Sequence, residues 1–443
     1  VSLFAQNQFS NFFGFGQFPQ PDQFVDYFNV GGSAPEAQRL RPPFTLTRAQ
    51  LAGVRAAAIS SNGVTWQEYA ADLARFNGAA QGLVIEGQRT NFIRNPRMEG
   101  AVVGNPGTAP THMLFSTTGG LSTQVASIGV EDGISYVDFR ISGTTTSGPV
   151  FALSVEAANA IAAAAGQIWT GSFHWRVING SGPSTWQINW QERDSANTAF
   201  TSDADIAVTA AESAPLATQR VINTRTLIGV GTGFVRFRVR MNFTAGTHDF
   251  TIRIGLPQLE LGAFATTPVL HPIGTPGAAT RGQDFVSAPL SALGISASGA
   301  CTVLMRAVFA NSVSAGQASQ TLLTLDDGTI ANAFRLRAAA GSDQIVAARF
   351  LAGAILGSAA SGAYTPGAVF RTGATFDGTG AMRHFTAGGS VQGVTGGPTS
   401  GLTTMRLGIG GLGGGAMNGE ILTMRLLPQP LSDTDLQAAV NAL

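Results

Sequence analysis

The sequence predicts an all-β protein: an extended N-terminal arm followed by two β-sandwich domains. Three observations predict it. Gly supplies 56 of the 443 residues, about double its ordinary usage of roughly 7%, and it clusters with Pro, Asn and Ser. Between those clusters run short stretches rich in Thr, Val and Phe, the pattern of many strands joined by tight turns. Several of these stretches alternate apolar and polar residues, which is the period of a strand with one face on a core.

Composition narrows the function classes. Hydrophobic residues are 44% and charged residues 12% of the chain, against a usual charged share of about 25%, so disorder driven by charge is excluded. The 26 basic and 26 acidic residues cancel, which leaves no overall field to hold nucleic acid, and none is expected as a partner. Every basic residue is Arg, whose planar fork suits carboxylates and sugars. The single cysteine, Cys301, forbids an intrachain disulfide or a Cys-based zinc site and reads as a small strand residue. No run approaches the roughly 18 apolar residues of a membrane span. The first Arg is Arg39, so no basic leader and no secretory signal are expected.

The arm comes first, over 1–43. It holds Phe4, Phe9, Phe12, Phe13, Phe15, Phe18, Phe24 and Phe28 among Gln, Asn, Gly and Pro. The spacing fits neither a helix nor a clean strand, and solvated Phe rings cost about 1.5–3 kcal/mol each. The preferred reading is an arm that docks into a partner protein or a symmetry mate; the alternative is an irregular strand packed on the chain's own domains. Next comes a linker segment, 44–96, where Asn62-Gly63 marks a hairpin turn. Over 97–272, strands are predicted at 135–141, 150–155, 168–178, 185–193, 220–227, 233–243 and 248–254, the regular spacing of a jelly roll. The Ala-rich interruption at 156–166 is expected to be a short helix or turn. A second linker, 273–287, precedes the last unit, 288–443. Its strands are predicted at 301–309, 321–326, 333–338, 345–351, 368–376, 383–387, 405–409 and 419–427. Ser432 with Asp435 three residues on is a capping box, and Leu436, Ala439, Val440 and Leu443 form the apolar stripe of a closing helix.

Three stretches carry a resemblance. "TRA … NGV … ARF … GLVIEGQRTN" between Thr47 and Asn91 resembles a segment of bacteriophage tail-fibre and virion spike proteins. Gly255–Thr266 resembles the closing strand of the carbohydrate-binding-like jelly rolls in such fibres. "GEILTMRLLPQPLSDTDLQAAV", from Gly419 to Val440, resembles the end of their laminin-G or concanavalin-like sandwiches. The linker after the jelly roll departs from the family, with Gly282-Gln283 where two alanines are usual. The resemblance implies a virion-surface location, attachment to other virion proteins through the N-terminal Phe residues, and a homotrimer.

Catalytic signatures are missing from the sequence. The five His residues show no metal-ligand spacing, and no nucleophile elbow, P-loop or dinucleotide fingerprint appears. Asp138, Glu156, Glu192 and Asp194 offer carboxylates without a warrant that they meet. No cofactor is expected. Asp326, Asp327 and Asn332 resemble calcium ligands of laminin-G-like folds, but an Asp-Asp-Gly turn is the preferred reading. The stronger signal is alternation. Gln187, Asn189 and Gln191 face away from Trp186, Ile188 and Trp190; Arg236, Arg238 and Arg240 face away from Val235, Phe237, Val239 and Met241; Arg253 lies opposite Ile252 and Ile254. If these strands are neighbours, they present a shelf of amides and guanidinia suited to an acidic surface polysaccharide. The bland alternative is a solvated or intersubunit face where Arg meets Asp and Glu. Trp169, Trp175, Trp186 and Trp190 read as core rather than as sugar platforms.

Together these readings predict a virion fibre or spike protein that is not an enzyme and binds host polysaccharide. A purely structural spike-base or baseplate component and a capsule depolymerase stay open as alternatives.

Overall fold

The computed structural model describes residues 25–26 and 42–443, apart from 61, 79–81, 147, 157–159, 181, 200–203, 209–212, 315–317, 330, 396–400 and 411–414. Almost every element is a strand, and the chain forms two compact units, each a β-sandwich. Phe4, Phe9, Phe12, Phe13, Phe15, Phe18, Phe24 and Phe28 lie outside the described residues. Within that arm, Val25–Asp26 pairs antiparallel with Leu426 and Arg425 of the chain's own Asn418–Leu427 strand. At these two residues, the segment is a strand of its own sheet.

The jelly-roll-like unit comprises Ala49–Ala71 and Gln88–Gly282. One five-stranded sheet runs Arg220–Thr226, Ile168–Gly180, Gly246–Leu261, Ile134–Thr145, Ser122–Glu131; the other runs Ala204–Ala207, Thr185–Arg193, Phe234–Asn242, Val150–Ser154, Leu114–Thr117. Both are antiparallel. Their inward residues form one core that includes Phe139, Phe173, Phe250, Phe151, Phe237 and Val239. Across it, Phe173 meets Phe237 at 5.7 Å and Trp175 meets Trp186 at 5.0 Å between ring centroids. Gly171 is required beneath Phe237, because an added Cβ would sit 2.5 Å from that ring. The hairpin joining Ser122–Glu131 to Ile134–Thr145 turns on Asp132 and Gly133, both at positive φ, as a tight two-residue hairpin demands.

The C-terminal unit comprises Asp72–Gly87, Gln283–Leu443 and the described chain up to Arg48. Its larger sheet runs Gln392–Val394, Met382–Thr386, Phe370–Phe376, Cys301–Phe309, Asn418–Leu427, Gly82–Glu86, Phe76–Asn77, with Val25–Asp26 on the Asn418–Leu427 strand. The seven-stranded sheet opposite runs Thr45–Thr47, Phe285–Pro289, Thr404–Leu407, Gln320–Asp326, Ala333–Ala338, Gln344–Leu351, Ala354–Ala363. Val303, Met305, Phe376 and Met424 from one sheet and Leu323, Leu325, Phe334 and Met405 from the other share one core. Cys301 is buried in it, and burial pushes its thiol well above the ordinary range. The helix forms as expected at Asp433–Asn441: Ser432 Oγ accepts from the Asp435 N–H at 3.2 Å, and Leu436, Ala439 and Val440 pack with Leu304 and Phe385.

Two stretches read as linkers are built into the units instead. Within 44–96, Arg55–Ile59 and Trp66–Tyr69 form a hairpin whose turn is held by Asn62 Oδ1, which accepts from Val64 and Thr65. Gly82–Glu86 pairs with Asn418–Ile421 more than three hundred residues away. Within 273–287, Ala279–Arg281 pairs with Arg89–Asn91, and Phe285–Pro289 pairs with Thr45–Thr47. The stretch 160–166 contains a turn and an isolated bridge from Ala162 to Phe234, and no helix among its described residues.

Candidate functional site: an arginine–amide sheet face

The Thr185–Arg193 and Phe234–Asn242 strands are direct neighbours, so the two predicted polar sets come together. Register pairs Gln187 with Arg240, Asn189 with Arg238 and Gln191 with Arg236. Directly paired residues share a face, and the inward partners Trp186, Ile188, Val239 and Phe237 are core, so all six point outward. The burial of Phe234–Asn242 alternates without a break, as its sequence requires.

The rows extend across the sheet. Leu114, Ser154, Arg238, Asn189 and Asp205 stand in one row, and Ser116, Ala152, Arg240, Gln187 and Ala207 in the next. Each outward amide oxygen accepts from an outward donor. Arg238 Nε donates to Asn189 Oδ1 at 2.6 Å, Arg236 Nη1 to Gln191 Oε1 at 3.2 Å, and Asn242 Nδ2 to Gln187 Oε1 at 2.6 Å. These bonds fix planar groups in place while Arg236, Arg238 and Arg240 each keep part of their surface in solvent. Asn189 and Gln191 are buried beneath that layer. The result is a preorganised array of N–H donors with amide edges behind them, the chemistry that recognises hydroxyl and carboxylate oxygens.

Arg253 does not belong to this array. Its strand, Gly246–Leu261, lies in the opposite sheet. There its guanidinium stacks on Tyr136 at 3.4 Å, donates to both Asp138 oxygens at 2.8 and 2.9 Å, and contacts Glu131. Burial opposes its charge, but Asp138 and Glu131 outweigh that and raise its pKa above the ordinary arginine value. Its acid partners belong to its own sheet.

The four clustered Trp residues are core, with Trp169, Trp175 and Trp190 essentially inaccessible. The carboxylates singled out in the sequence are each committed separately: Asp138 to Arg253, Glu156 to Arg94, Asp194 to the Thr198 N–H, and Glu192 to Arg225. Glu192 also accepts from the N–H groups of Ile228 and Gly229 and from the Thr232 hydroxyl. Burial alone would raise its pKa, yet these bonds hold it below the usual value. They fix a loop that exposes Ile228 and Val230.

Asp326 is taken by Arg406 at 2.6 Å and caps the Gly328 N–H, while Asp327 Oδ1 accepts from Thr329. Among the described residues no three His, Cys, Asp or Glu side chains gather to hold a metal ion, and no helix is long and apolar enough to cross a membrane.

Sequence reading missed two charged groupings. Arg48 and Arg75 converge on Asp284, at 2.8 and 2.7 Å, and Arg75 also binds Glu86 at 2.9 Å, all buried in the C-terminal unit. Arg335 and Arg337 share the outward face of the seven-stranded sheet. Their alternation, Phe334-Arg335-Leu336-Arg337-Ala338, repeats the signal read at 235–241.

No family model matches the sequence, and no curated protein matches it. Among solved structures, the chain is similar to the CBM40 of the Ruminococcus gnavus IT-sialidase bound to α2,3-sialyllactose, at 16% identity and a TM-score of 0.26 over 32% of this chain and 82% of that one. It is also similar to the CBM22-1–CBM22-2 tandem of Paenibacillus barcinonensis Xyn10C, at 11% identity and 0.24, covering 76% and 95%. A third is the tripod (BppUct-A-L) of the bacteriophage Tuc2009 baseplate, at 13% identity and 0.28, covering 80% and 99%. At these TM-scores the likenesses assign no ligand or partner to this chain.

Proposed function

We propose that the protein is a virion-surface fibre or spike component that binds host-surface polysaccharide without cutting it, through the outward face of its jelly-roll-like unit. The observation that carries this reading is the register-matched array of Arg236, Arg238 and Arg240 against Gln191, Asn189 and Gln187. Side chains already held by cross-strand hydrogen bonds lose little freedom on binding, and preorganisation lowers the cost of recognition. The fibre-like motifs at 47–91 and 419–440 support the virion setting. Attachment would run through the Phe residues of the arm, and a homotrimer would multiply a weak site through avidity.

A purely structural virion role is favoured by one observation: the oxygens of Gln187, Asn189 and Gln191 already accept hydrogen bonds within the sheet. Binding of purified protein to capsular and lipopolysaccharide glycans separates the two. The Arg238→Glu variant is expected to keep its thermal midpoint within a few degrees and to bind at least about tenfold more weakly, about 1.4 kcal/mol. Undiminished glycan binding by a folded variant would overturn the site, and no glycan binding by the wild type would favour the structural role.

A further inference from the structure

The Ala333–Ala338 strand carries two arginines, Arg335 and Arg337, on one face. Several described arginines meet a carboxylate: Arg48 and Arg75 share Asp284, and Arg94, Arg97, Arg140, Arg225, Arg253 and Arg406 each have an acid partner. Arg335 and Arg337 have no ion pair among the described residues, and the Nε–H of each is shielded with no hydrogen-bond acceptor. Asp326, which lies on the same outward face, is taken by Arg406.

Position i and i+2 of a strand puts both guanidinia on one side, roughly 7 Å apart along the chain. Phe350 holds them there, with the Arg335 guanidinium 4.1 Å and that of Arg337 5.5 Å from its ring centroid. On one side of them stands the Arg406–Asp326 pair; on the other the face is low and uncharged. Thr324, Ala348 and Ser358 share the row of Arg335, while Thr321, Val346 and Ala360 share that of Arg337. Ser358 and Ala360, on the edge strand, are exposed. Two like charges in a half-buried setting are unfavourable until an anion arrives, and burial lowers the pKa of both, with Arg337 adding to the effect on Arg335 and Asp326 opposing it only in part.

We infer that Arg335 and Arg337, propped by Phe350, form a second binding site whose ligand is a linear saccharide bearing carboxylates. Two planar donor forks match carboxylates bidentately. The small exposed side chains of Ser358 and Ala360 on the adjoining edge strand leave room for the body of a sugar chain, where a compact anion would use only the forks. This site lies in a different unit from the array of the jelly-roll-like unit and stands without it.

Calorimetric titration of the full chain with oligogalacturonate, a chain of uronic acids, tests the proposal. Binding is expected to weaken as salt rises and to fall at least tenfold in Arg335→Gln/Arg337→Gln. The Arg335→Lys/Arg337→Lys variant, which keeps the charge but loses the fork, is expected to fall between wild type and the Gln pair. The same loss in Arg335→Gln/Arg337→Gln is expected in an Arg238→Glu background, where the jelly-roll array is already disabled, so failure here and failure of the jelly-roll site are read separately. Equal binding by the Gln pair, equal binding of uncharged dextran, or displacement of the saccharide by equimolar inorganic phosphate would each overturn it. Should the Gln pair unfold, full retention of binding by the Lys pair would overturn the fork.

Discussion

His384 is wholly buried in the larger sheet of the C-terminal unit, with Nε2 3.2 Å from the Ile345 carbonyl oxygen. Burial lowers its pKa from 6.5 to about 4, with the Ile345 contact opposing only in part. The folded form therefore carries fewer protons than the unfolded chain between those two values. Stability is at its full value above pH 6.5 and is lost as pH falls towards about 4. A shift of that size is worth on the order of 3 kcal/mol across the window. Urea unfolding at pH 7 and pH 4.5 should show a clear drop for wild type and a smaller one for His384→Gln. An equal drop in both would remove His384 from the account. His174 in the jelly-roll-like unit is also buried, and burial together with Arg220 keeps it neutral, so the comparison must be made between variants. Neither His could be read this way in the sequence, where each is one polar residue on an alternating strand.

At the level of elements, alternation was the most legible feature. Phe234–Asn242 behaves as its letters dictate because one sheet face is core and the other is not. The same period at 333–338 carried two further arginines past notice, since nothing in the local sequence reveals that they lack acids. Ala354–Ala363 was not foreseen as a strand at all. Its Ala, Gly and Ser have little strand preference, and it forms because Gln344–Leu351 offers an edge to pair with. Arg253 was misplaced for a related reason: period two gives a face, never a sheet. Loops are also set by distant residues. The 227–233 loop is held by Glu192, a strand residue, so Glu192→Gln should destabilise the unit by about 3 kcal/mol. Hydrogen exchange at Ile228 and Gly229 should quicken before the flanking strands respond. Unchanged exchange there would mean that the loop's own turn holds it.

For the molecule as a whole, two β-sandwich units were legible in the sequence, but not that each is assembled from separate stretches of chain. The chain passes between units after Arg48, Ala71, Gly87 and Gly282. Three of the crossings lie within two residues of Arg48, Glu86 or Asp284, members of one buried ion-paired group in the C-terminal unit, and the fourth adjoins exposed Asp72, which bonds to the Arg48 backbone. Arg48 and Asp284 form an ion pair, Arg75 bridges Asp284 to Glu86, and Asp72 Oδ1 accepts from the Arg48 N–H. The fibre-like motif residues at 48, 75 and 86 thus act as one structural knot, closed by Asp284 from beyond the jelly-roll-like unit. Burial alone would lower the pKa of Arg75, but Asp284 and Glu86 hold it above the ordinary value, so the charge persists. Removing one member leaves an uncompensated buried charge, which costs about 3–5 kcal/mol. Asp284→Asn and Arg75→Met should each lower stability by that amount, with little dependence on salt because the pairs are shielded from ions. The double variant Arg75→Met/Glu86→Leu replaces both sides of one pair and should lose clearly less than the sum of its single variants. Strict additivity in denaturant titrations would show that the two residues act apart and that the knot is only a set of neighbours.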